Sequence, residues 1–414
     1  MKKYDVTIIG AGIIGLNIAW QLARRSNLKI AVLEKGAAVG EGSTGASSAI
    51  CRHRYTLDEM VNLARDGINA YRDWREYIGL EDTRARFNND GVLWMPGADF
   101  EWSEREHRRM QKKGIATEIL EDADLNDRFP DINTCTLTPD FETGEEHGCV
   151  GGGRNLFEID GGWVDPVAAA QDLVDACRQQ GVEVRFRSHV ESISTGNGAV
   201  KSVTLQSGEE ISTPLLINAS GPWCDRLFDA VGLKLNWDLK PTRIQVMYRD
   251  RPEELQGHIP VAIDMAAGIY FRTQNRGQQL IVSSVLAEDE EEEVTDPDNY
   301  QLVHDEEFEL MKMHALHHRF LHLPYHGNIQ GYCGLYTMNR DDVHPIVGPT
   351  ELEGFWVTNG FSGHGFKLAP AIGSMVAQAI SGEKIDFDTE VPMSFFSIDR
   401  EPISIGLTNK SVLA

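Results

Sequence analysis

The chain has few cysteines, no long apolar run and a shortage of positive charge. Its 414 residues include 6 cysteines, and no two of them form a C-x-x-C pair. Neither a disulfide framework nor a zinc site is predicted, and a reducing compartment, the cytoplasm, fits best. No apolar stretch is long enough to span a bilayer. With 39 basic and 63 acidic side chains, the net charge of −24 disfavours nucleic acid and anionic membranes as partners.

Three local features resemble targeting, recruitment or metal signals, and each has a simpler interpretation. The basic and apolar N-terminus is interrupted by Asp5 and Asn17, so no signal peptide is expected. The acidic run Glu288–Glu293 predicts a solvated loop. Several histidines between residues 314 and 326 share one helix face, but side chains so placed rarely converge on one metal, and no metal site is predicted.

The order of predicted elements indicates an α/β protein with two discontinuous domains. Residues 4–9, 13–26 and 29–34 read as strand, helix and strand, which is a βαβ unit of a parallel sheet. Further helices are predicted at 57–80, 304–322 and 366–380, and after Asp165 as N-cap. Segments of this kind alternate with β-rich segments. The predicted division is therefore 1–85, 150–230 and 331–414 for one domain, and 86–149 and 231–330 for the other.

A dinucleotide fingerprint opens the chain. Gly10, Gly12 and Gly15 form G-x-G-x-x-G between the first strand and the first helix, and Glu34 ends the second strand. The glycines allow a tight turn, approach of a pyrophosphate and close helix–strand packing, while Glu34 would accept hydrogen bonds from ribose hydroxyls. FAD is favoured over NAD because a Gly/Ser/Thr-rich loop follows Glu34 directly, and because residues 215–227 contain a second strand that ends in small residues.

Together these motifs resemble the FAD-dependent D-amino acid oxidase superfamily, in particular its branch of sarcosine oxidases, glycine oxidase and dimethylglycine dehydrogenase. The segments that carry the resemblance follow the family order and include "GAGIIG", "GEGSTGASSAICRHRY", "DGGWVDP", "NASGPW", "GIYFR" and "NGFSGHGFKLAPAIG". The resemblance implies a Rossmann-like FAD-binding domain of the glutathione reductase and p-hydroxybenzoate hydroxylase type, with a discontinuous substrate domain of antiparallel β-sheet plus helix.

The resemblance also implies which residues hold the cofactor. In such proteins the C-terminal glycine-rich loop faces the flavin ring, and the helix that it opens presents its positive end to the reduced ring. The expected FAD-binding residues come from the fingerprint, the following loop, two strand ends and the C-terminal loop. They are Gly10, Ala11, Gly12, Ile13, Ile14, Gly15, Glu34, Lys35, Ser43, Thr44, Ser47, Ser48, Val190, Ala219, Ser220, Gly221, Trp223, Gly334, Gly363, His364, Gly365, Phe366 and Lys367.

Arg52 and Lys367 are the expected substrate residues. They fall on the arginine and the lysine that hold the substrate carboxylate in the monomeric sarcosine oxidase, and an arginine can grip a carboxylate through two parallel hydrogen bonds. Tyr336 matches an active-site tyrosine of the family. Further candidates for the catalytic site are His53, His364 and Arg272. For these three a structural hydrogen-bonding role is an equal alternative.

The sequence departs from the monomeric oxidase at positions that bear on the flavin. Gly334 stands where that enzyme attaches its flavin to a cysteine, and the histidine that attaches flavin in dimethylglycine dehydrogenase falls near Ala46, so non-covalent FAD is predicted. Ala49 replaces an arginine near the flavin. The segment 278–285, where the oxygen-activating lysine should lie, contains no lysine, which favours a dehydrogenase over an efficient oxidase.

The predicted function is FAD-dependent oxidation of a small amine that carries a carboxylate. A secondary or N-methyl amino acid is favoured, with glycine-like or D-amino acids as further candidates, and hydride transfer to flavin N5 yields the imine. Electrons would pass to oxygen, a quinone or an electron-transfer protein. Two alternatives stay open: a 2-hydroxy acid dehydrogenase on the same scaffold, and a non-catalytic FAD-binding assembly protein.

Overall fold

A central sheet of six strands is built from short apolar segments. The computed structural model describes residues 1–144, 148–404 and 413, and it places the fully buried strand Val6–Ile9 inside this sheet. Neighbouring strands are parallel except for the last pair. The strand order across the sheet is Glu183–Arg185, Ile30–Leu33, Val6–Ile9, Leu215–Asn218, Phe355–Asn359 and Ile346–Pro349.

Both faces of the central sheet are covered, as a parallel sheet requires. Helices pack on one face, where Gly373 of Gly365–Ser381 lies so close to Ile13–Arg25 that a Cβ would stand 2.8 Å from the backbone of Asn17. A four-stranded sheet packs on the other face through a second apolar cluster. Its strands are ordered Lys2–Lys3, Glu210–Ser212, Ala199–Leu205 and Val190–Gly196.

A second large sheet of eight strands makes up most of the β-rich part. It is antiparallel except for the pair Val261–Asp264 and Val92–Met95, which is parallel. One face packs on the helix Glu306–Arg319 through apolar side chains such as Phe271, Met313 and Leu316. The strand order is Ile329–Asn339, Leu239–Asp250, Gln279–Ser284, Ile269–Gln274, Val261–Asp264, Val92–Met95, Arg154–Glu158 and Thr117–Glu121.

A small sheet and several helices complete the described part of the chain. The small sheet joins Ile50–Cys51, Gly162–Val164 and Phe87–Asn88. The α-helices are Ile13–Arg25, Asp58–Arg72, Trp74–Ile78, Phe100–Lys112, Asp122–Arg128, Pro166–Gln179, Cys224–Ala230, Glu306–Arg319 and Gly365–Ser381, and short 3-10 helices span Gly221–Trp223, Ala287–Glu290 and Met393–Phe396. Among the described residues, no helix has the length and apolar character needed to cross a membrane.

Several predicted boundaries differ from the structure. The helix predicted at 57–80 is two helices, because Asp73 leaves the helical conformation and Trp74 starts a new turn that buries its ring. The strand Arg154–Glu158 lies in the eight-stranded sheet, although the predicted boundary near 150 gives it to the cofactor domain. It pairs with Val92–Met95, a partner that no local pattern reveals. The division into two domains itself stays a prediction.

Candidate functional site

A cavity of about 610 Å³ lies at the carboxyl ends of the parallel strands of the central sheet. This is where open α/β sheets bind ligands, because the loops that follow adjacent strands diverge there. The loops after Val6–Ile9, Ile30–Leu33, Leu215–Asn218 and Phe355–Asn359 all contribute to the wall. Its size falls within the range of cofactor and ligand pockets.

The first glycine loop forms the floor of this cavity and meets the steric demands predicted for it. Gly10 has φ +107°, and a Cβ there would stand 2.5 Å from the carbonyl oxygen of Ala219 on the neighbouring strand end. A Cβ at Gly15 would stand 2.0 Å from the Gly10 carbonyl oxygen, so this glycine serves helix–strand packing and does not reach the cavity. The loop is tied to the next segment because Ile13 N donates to Thr44 Oγ1 at 3.0 Å.

Most of the residues predicted to bind the cofactor line this cavity. Glu34 lies at one end, where its carboxylate accepts hydrogen bonds from Ala11 N at 3.0 Å and Gly36 N at 2.7 Å. The structure thus brings together residues that are far apart in the chain. Those on the wall are Gly10, Ala11, Gly12, Ile13, Ile14, Glu34, Lys35, Ser43, Thr44, Ser47, Val190, Ala219, Ser220, Gly221, Trp223, Gly363, Gly365 and Phe366.

The other predicted cofactor residues do not line the large cavity. Besides Gly15, Gly334 packs against Ala46, and a Cβ at Gly334 would stand 2.4 Å from the Ala46 Cβ. His364 is fully buried against the ring of Tyr55, at 5.1 Å between centroids. Ser48 and Lys367 line a second, smaller cavity.

The donors and the space in the large cavity fit a dinucleotide. The helix Ile13–Arg25 starts at the Gly10–Gly15 loop and points its N-terminus at the cavity, and its N-cap residue, Gly12, has no side chain to cap it. Ser43 lines the cavity with a buried hydroxyl that has no hydrogen-bond partner among the described residues. A bound phosphate or ribose would satisfy such a group.

A second cavity of about 40 Å³ adjoins the first and contains the predicted substrate residues. Ser47, Tyr336, Gly363 and Phe366 line both cavities, so the two are adjacent. Arg52 and Lys367 are among the residues of the small cavity, although 315 positions separate them along the chain (367 − 52). The rest of its wall is largely apolar: Ala49, Ile50, Ile263, Tyr270, Val285 and Leu413.

Arg52 and Lys367 converge on the ring of Tyr55. The Arg52 guanidinium lies 4.2 Å and the Lys367 Nζ 5.8 Å from the centroid of that ring. Both residues are nearly fully buried. Burial and the neighbouring charge of Arg52 lower the pKa of Lys367 from 10.5 to about 7. The surroundings of Lys367 therefore disfavour its positive charge, and an anion bound nearby would stabilise that charge.

The helix Asp58–Arg72 sets the position of Lys367. It crosses the start of Gly365–Ser381 so closely that a Cβ at Gly67 would stand 2.1 Å from the Lys367 carbonyl oxygen. Pro370 lies inside the second helix and cannot donate to the carbonyl of Phe366, four residues earlier. The hydroxyl of Tyr71 donates to that carbonyl instead, at 2.9 Å. Lys367 is therefore held on a fixed helix start.

The remaining candidates occupy different positions. Tyr336 lines both cavities, and burial raises its pKa well above 10, so the hydroxyl stays protonated. His53 lies outside both cavity walls, and its Nδ1 bonds Glu158 at 3.1 Å. Arg272 donates to the Ser48 carbonyl at 2.8 Å and stacks on a tryptophan ring, which pins the loop that borders the small cavity.

An acidic loop of the β-rich part, residues 296–302, lines one side of the large cavity. Asp298 pairs with Lys35 and with Arg226, and it accepts a hydrogen bond from Trp223 Nε1 at 3.0 Å. Lys35 also lies 3.5 Å from the centroid of the Trp223 ring. Pro297, Asp298, Tyr300 and Leu302 line the cavity from this side. This loop was not predicted, because its partners are at least 70 positions away.

Two other features of the sequence have structural roles. The prediction of a solvated loop for Glu288–Glu293 is wrong in part: Glu290 is 4% exposed, and Asp289 pairs with the buried Lys312 at 2.7 Å. Among the histidines, His317 bonds the backbone carbonyls of its own helix and of Pro324. Within the described residues, no group of His, Cys, Asp and Glu side chains is arranged to hold a metal.

Comparison with known proteins identifies related chains over most of the sequence. The family model DAO, FAD dependent oxidoreductase, matches residues 5–379. FAD-dependent oxidoreductase domain-containing protein 1 of Bos taurus is 25% identical over 92% of this chain and 81% of its own length. Peroxisomal sarcosine oxidase of Mus musculus is 25% identical over 90% of this chain and 91% of its own length.

Solved structures support the fold. The crystal structure of L-proline dehydrogenase from P. horikoshii matches with a TM-score of 0.80 over 96% of this chain and 97% of that one. Its sequence is 22% identical, so the likeness establishes the shared architecture and not the substrate. The predicted fold class, a Rossmann-like domain with a β-rich second part, is confirmed.

Proposed function

The chain belongs to the DAO family of FAD-dependent oxidoreductases, and from that premise we propose that it oxidises a small amino acid at a secondary or N-methyl amine. Membership makes the protein an FAD-dependent oxidoreductase of amines or amino acids. The finer assignment is supported by one observation above all. Arg52 and Lys367 line one small cavity, and that cavity adjoins the proposed cofactor cavity through four shared wall residues.

The paired cations suit a single carboxylate. A guanidinium can bind a carboxylate through two parallel hydrogen bonds and an ammonium adds a point charge, and both Arg52 and Lys367 are buried, where water screens their charges little. An anion bound here would restore the proton to Lys367, whose pKa of about 7 leaves it partly neutral at physiological pH. The names of two similar proteins point the same way, since sarcosine and proline are both secondary amino acids.

The rest of the small cavity would orient the amine. Ile50, Ile263 and Val285 provide apolar walls that exclude water, and Ser47 and Tyr336 are polar residues that line both cavities. A carboxylate fixed by Arg52 and Lys367 leaves the amine and its neighbouring carbon toward the large cavity. When bound there, FAD would supply the acceptor for the hydride that leaves the carbon next to the amine, while the nitrogen loses a proton and the C=N bond of the imine forms.

The same geometry supports a dehydrogenase. The strand Gln279–Ser284 carries no lysine. Its Ser283 hydroxyl donates to the backbone carbonyl of Gln245, and Val285, directly after the strand, lines the small cavity. The buried Lys312 reaches this strand from the helix Glu306–Arg319, where it bonds Ser284 and Asp289. We propose that electrons pass to a quinone or an electron-transfer protein rather than to oxygen.

Two further features of the protein are proposed on local grounds. FAD is held without a covalent bond, since Gly334 packs directly on Ala46, which leaves no room for an attaching side chain at position 334, and alanine at position 46 has no group that could attach. The six cysteines, all of which the structure describes, form no disulfide with one another, which suits the cytoplasm as the compartment. Acid precipitation should release intact FAD into the supernatant.

Anaerobic reduction of the purified holoprotein tests the proposal. The panel contains N-methylglycine, proline, glycine, D-alanine and the matching 2-hydroxy acids, and bleaching of the flavin absorbance is the readout. Fastest bleaching by a secondary amino acid, followed by slow reoxidation in air, is expected. Fastest bleaching by a hydroxy acid would transfer the assignment to that class, and no bleaching by any member would indicate a non-catalytic flavoprotein.

A further inference from the structure

Glu158 is a buried acid beside the proposed carboxylate site, and no motif singles it out. It ends the strand Arg154–Glu158 of the eight-stranded sheet and is 0% exposed. Four donors surround its carboxylate. One oxygen accepts from His53 N at 2.6 Å and His53 Nδ1 at 3.1 Å, and the other from Trp94 Nε1 at 2.8 Å and Arg54 N at 3.0 Å.

These four hydrogen bonds keep the acid ionised. Burial alone would raise the pKa of Glu158, but the bonds from His53 and Trp94 hold it below its ordinary value. Because an ionised carboxylate only accepts, His53 must carry its proton on Nδ1. The Nδ1 of His53 is therefore bonded to Glu158, and His53 supports the site without lining either cavity.

The residues that Glu158 holds are those that place Arg52. Its two backbone bonds fix the chain at residues 53 and 54, and the Arg52 guanidinium donates to the carbonyl of Arg54. The same carboxylate orients the Trp94 ring, which lies 5.4 Å from the Arg52 guanidinium. Glu158 thus positions both the backbone of residues 53 and 54 and the Trp94 ring that lies beside the Arg52 guanidinium.

Glu158 also provides charge balance. The titratable and charged groups that act on Lys367 are Arg52, the Cys51 thiol and Glu158, and the Tyr55 ring faces its ammonium. Glu158 is the acid of this set. A pair of buried cations is strongly unfavourable without compensating charge, and the negative charge of Glu158 offsets part of that cost.

Resting on the carboxylate site proposed above, we propose that Glu158 is its positioning residue and fixed counter-ion: it holds the Arg52–Arg54 segment and balances the Arg52–Lys367 pair. The role does not require contact with substrate. It requires that substrate affinity and its pH dependence both respond to changes at residue 158.

The test measures binding of methoxyacetate, an isostere of N-methylglycine without an oxidisable amine, to the holoprotein. Perturbation of the flavin spectrum gives Kd between about pH 6 and about pH 9. In wild type, Kd should rise as the pH passes through the pKa of Lys367, about 7. Glu158→Gln removes the charge and turns an amide N–H₂ toward two donors, so affinity should fall about tenfold and the midpoint should move to lower pH.

Glu158→Asp separates the two roles. It keeps the charge but shortens the reach, so affinity should fall while the midpoint stays near the wild-type value. Glu106→Gln is the matched control, because Glu106 is a buried acid that bonds the Arg54 side chain and not the backbone of residues 53 and 54. It should leave the midpoint unchanged.

The outcomes distinguish a failure of the Glu158 role from a failure of the proposed carboxylate site on which it rests. Unchanged Kd and midpoint in both Glu158 variants with FAD bound would overturn the inference. Should Glu158→Gln fail to hold FAD, Glu158→Asp decides by the same criterion. An Arg52→Met variant that binds methoxyacetate as wild type does would instead refute the carboxylate site itself, whatever the Glu158 variants do.

Discussion

Replacement of Lys367 by methionine should stabilise the folded protein in a way that depends on pH. The pKa of this fully buried cation falls from 10.5 to about 7, through burial and the charge of Arg52. Because each pKa unit corresponds to about 1.4 kcal/mol, folding with Lys367 charged is unfavourable by on the order of 5 kcal/mol. Methionine has a similar length and carries no charge, so the variant avoids this cost.

The sign of the pH dependence follows from the pKa of Lys367, which is lower in the folded state than in the unfolded chain. A cation whose folded-state pKa is lowered holds fewer protons in the folded state than in the unfolded chain between about pH 7 and about pH 10.5. Wild-type stability therefore rises with pH in that window relative to Lys367→Met. The advantage of the variant should be full below about pH 7 and should shrink by about 1.4 kcal/mol per pH unit above it.

Urea unfolding at saturating FAD, at several values between about pH 6 and about pH 9, measures this difference. Lys234→Met, at an exposed position, is the control and should show no such slope. A Lys367→Met variant less stable than wild type at pH 6, or a difference that does not change with pH, would show that Lys367 is not a buried, destabilised cation. The placement of the proposed carboxylate site would then be wrong.

Two further predictions concern the parts that hold the site and the cofactor. Tyr71→Phe should lower the free energy of unfolding by about 1–3 kcal/mol, because the Phe366 carbonyl loses its donor, and the loss should largely disappear in a Pro370→Ala background that restores the helix N–H. An equal loss in both backgrounds in urea unfolding would contradict this account. Asp298→Asn should speed FAD dissociation about two- to fivefold at low salt and less at high salt, since exposed ion pairs are weak and screened. Flavin fluorescence after dilution reports the rate, Glu306→Gln is the matched control at an exposed acid, and a rate equal to that of the control would exclude a role for the loop in retaining FAD.

The sequence predicts the parts of this molecule that depend on local pattern. The predicted βαβ unit is confirmed as Val6–Ile9, Ile13–Arg25 and Ile30–Leu33. Asp165 caps its helix by accepting from Ala168 N, as predicted, and Gly382, two residues beyond the predicted end at 380, ends the C-terminal helix in the left-handed conformation. Glycines, caps and apolar runs are dictated by backbone sterics and by neighbours a few residues away.

The missed features all depend on long-range contacts. Glu158 bonds residues 105 and 104 positions earlier, and Tyr71 bonds a carbonyl 295 positions later. A buried acid and a buried tyrosine give no signal in a single sequence, because their partners are set by tertiary packing. Tyr55 is an exception, since it lies in the same "AICRHRY" segment as Arg52 and could have been proposed with it.

The most direct test of the carboxylate site compares one amino acid with its own amide. The acid that reduces the flavin fastest in the panel and its primary amide are mixed anaerobically with wild type and with Arg52→Met. We expect the acid to be preferred in kred/Kd by about a hundredfold in wild type, and most of that preference to vanish in the variant, because an unpaired buried charge costs several kcal/mol. Equal reduction of wild type by the acid and the amide would contradict the account.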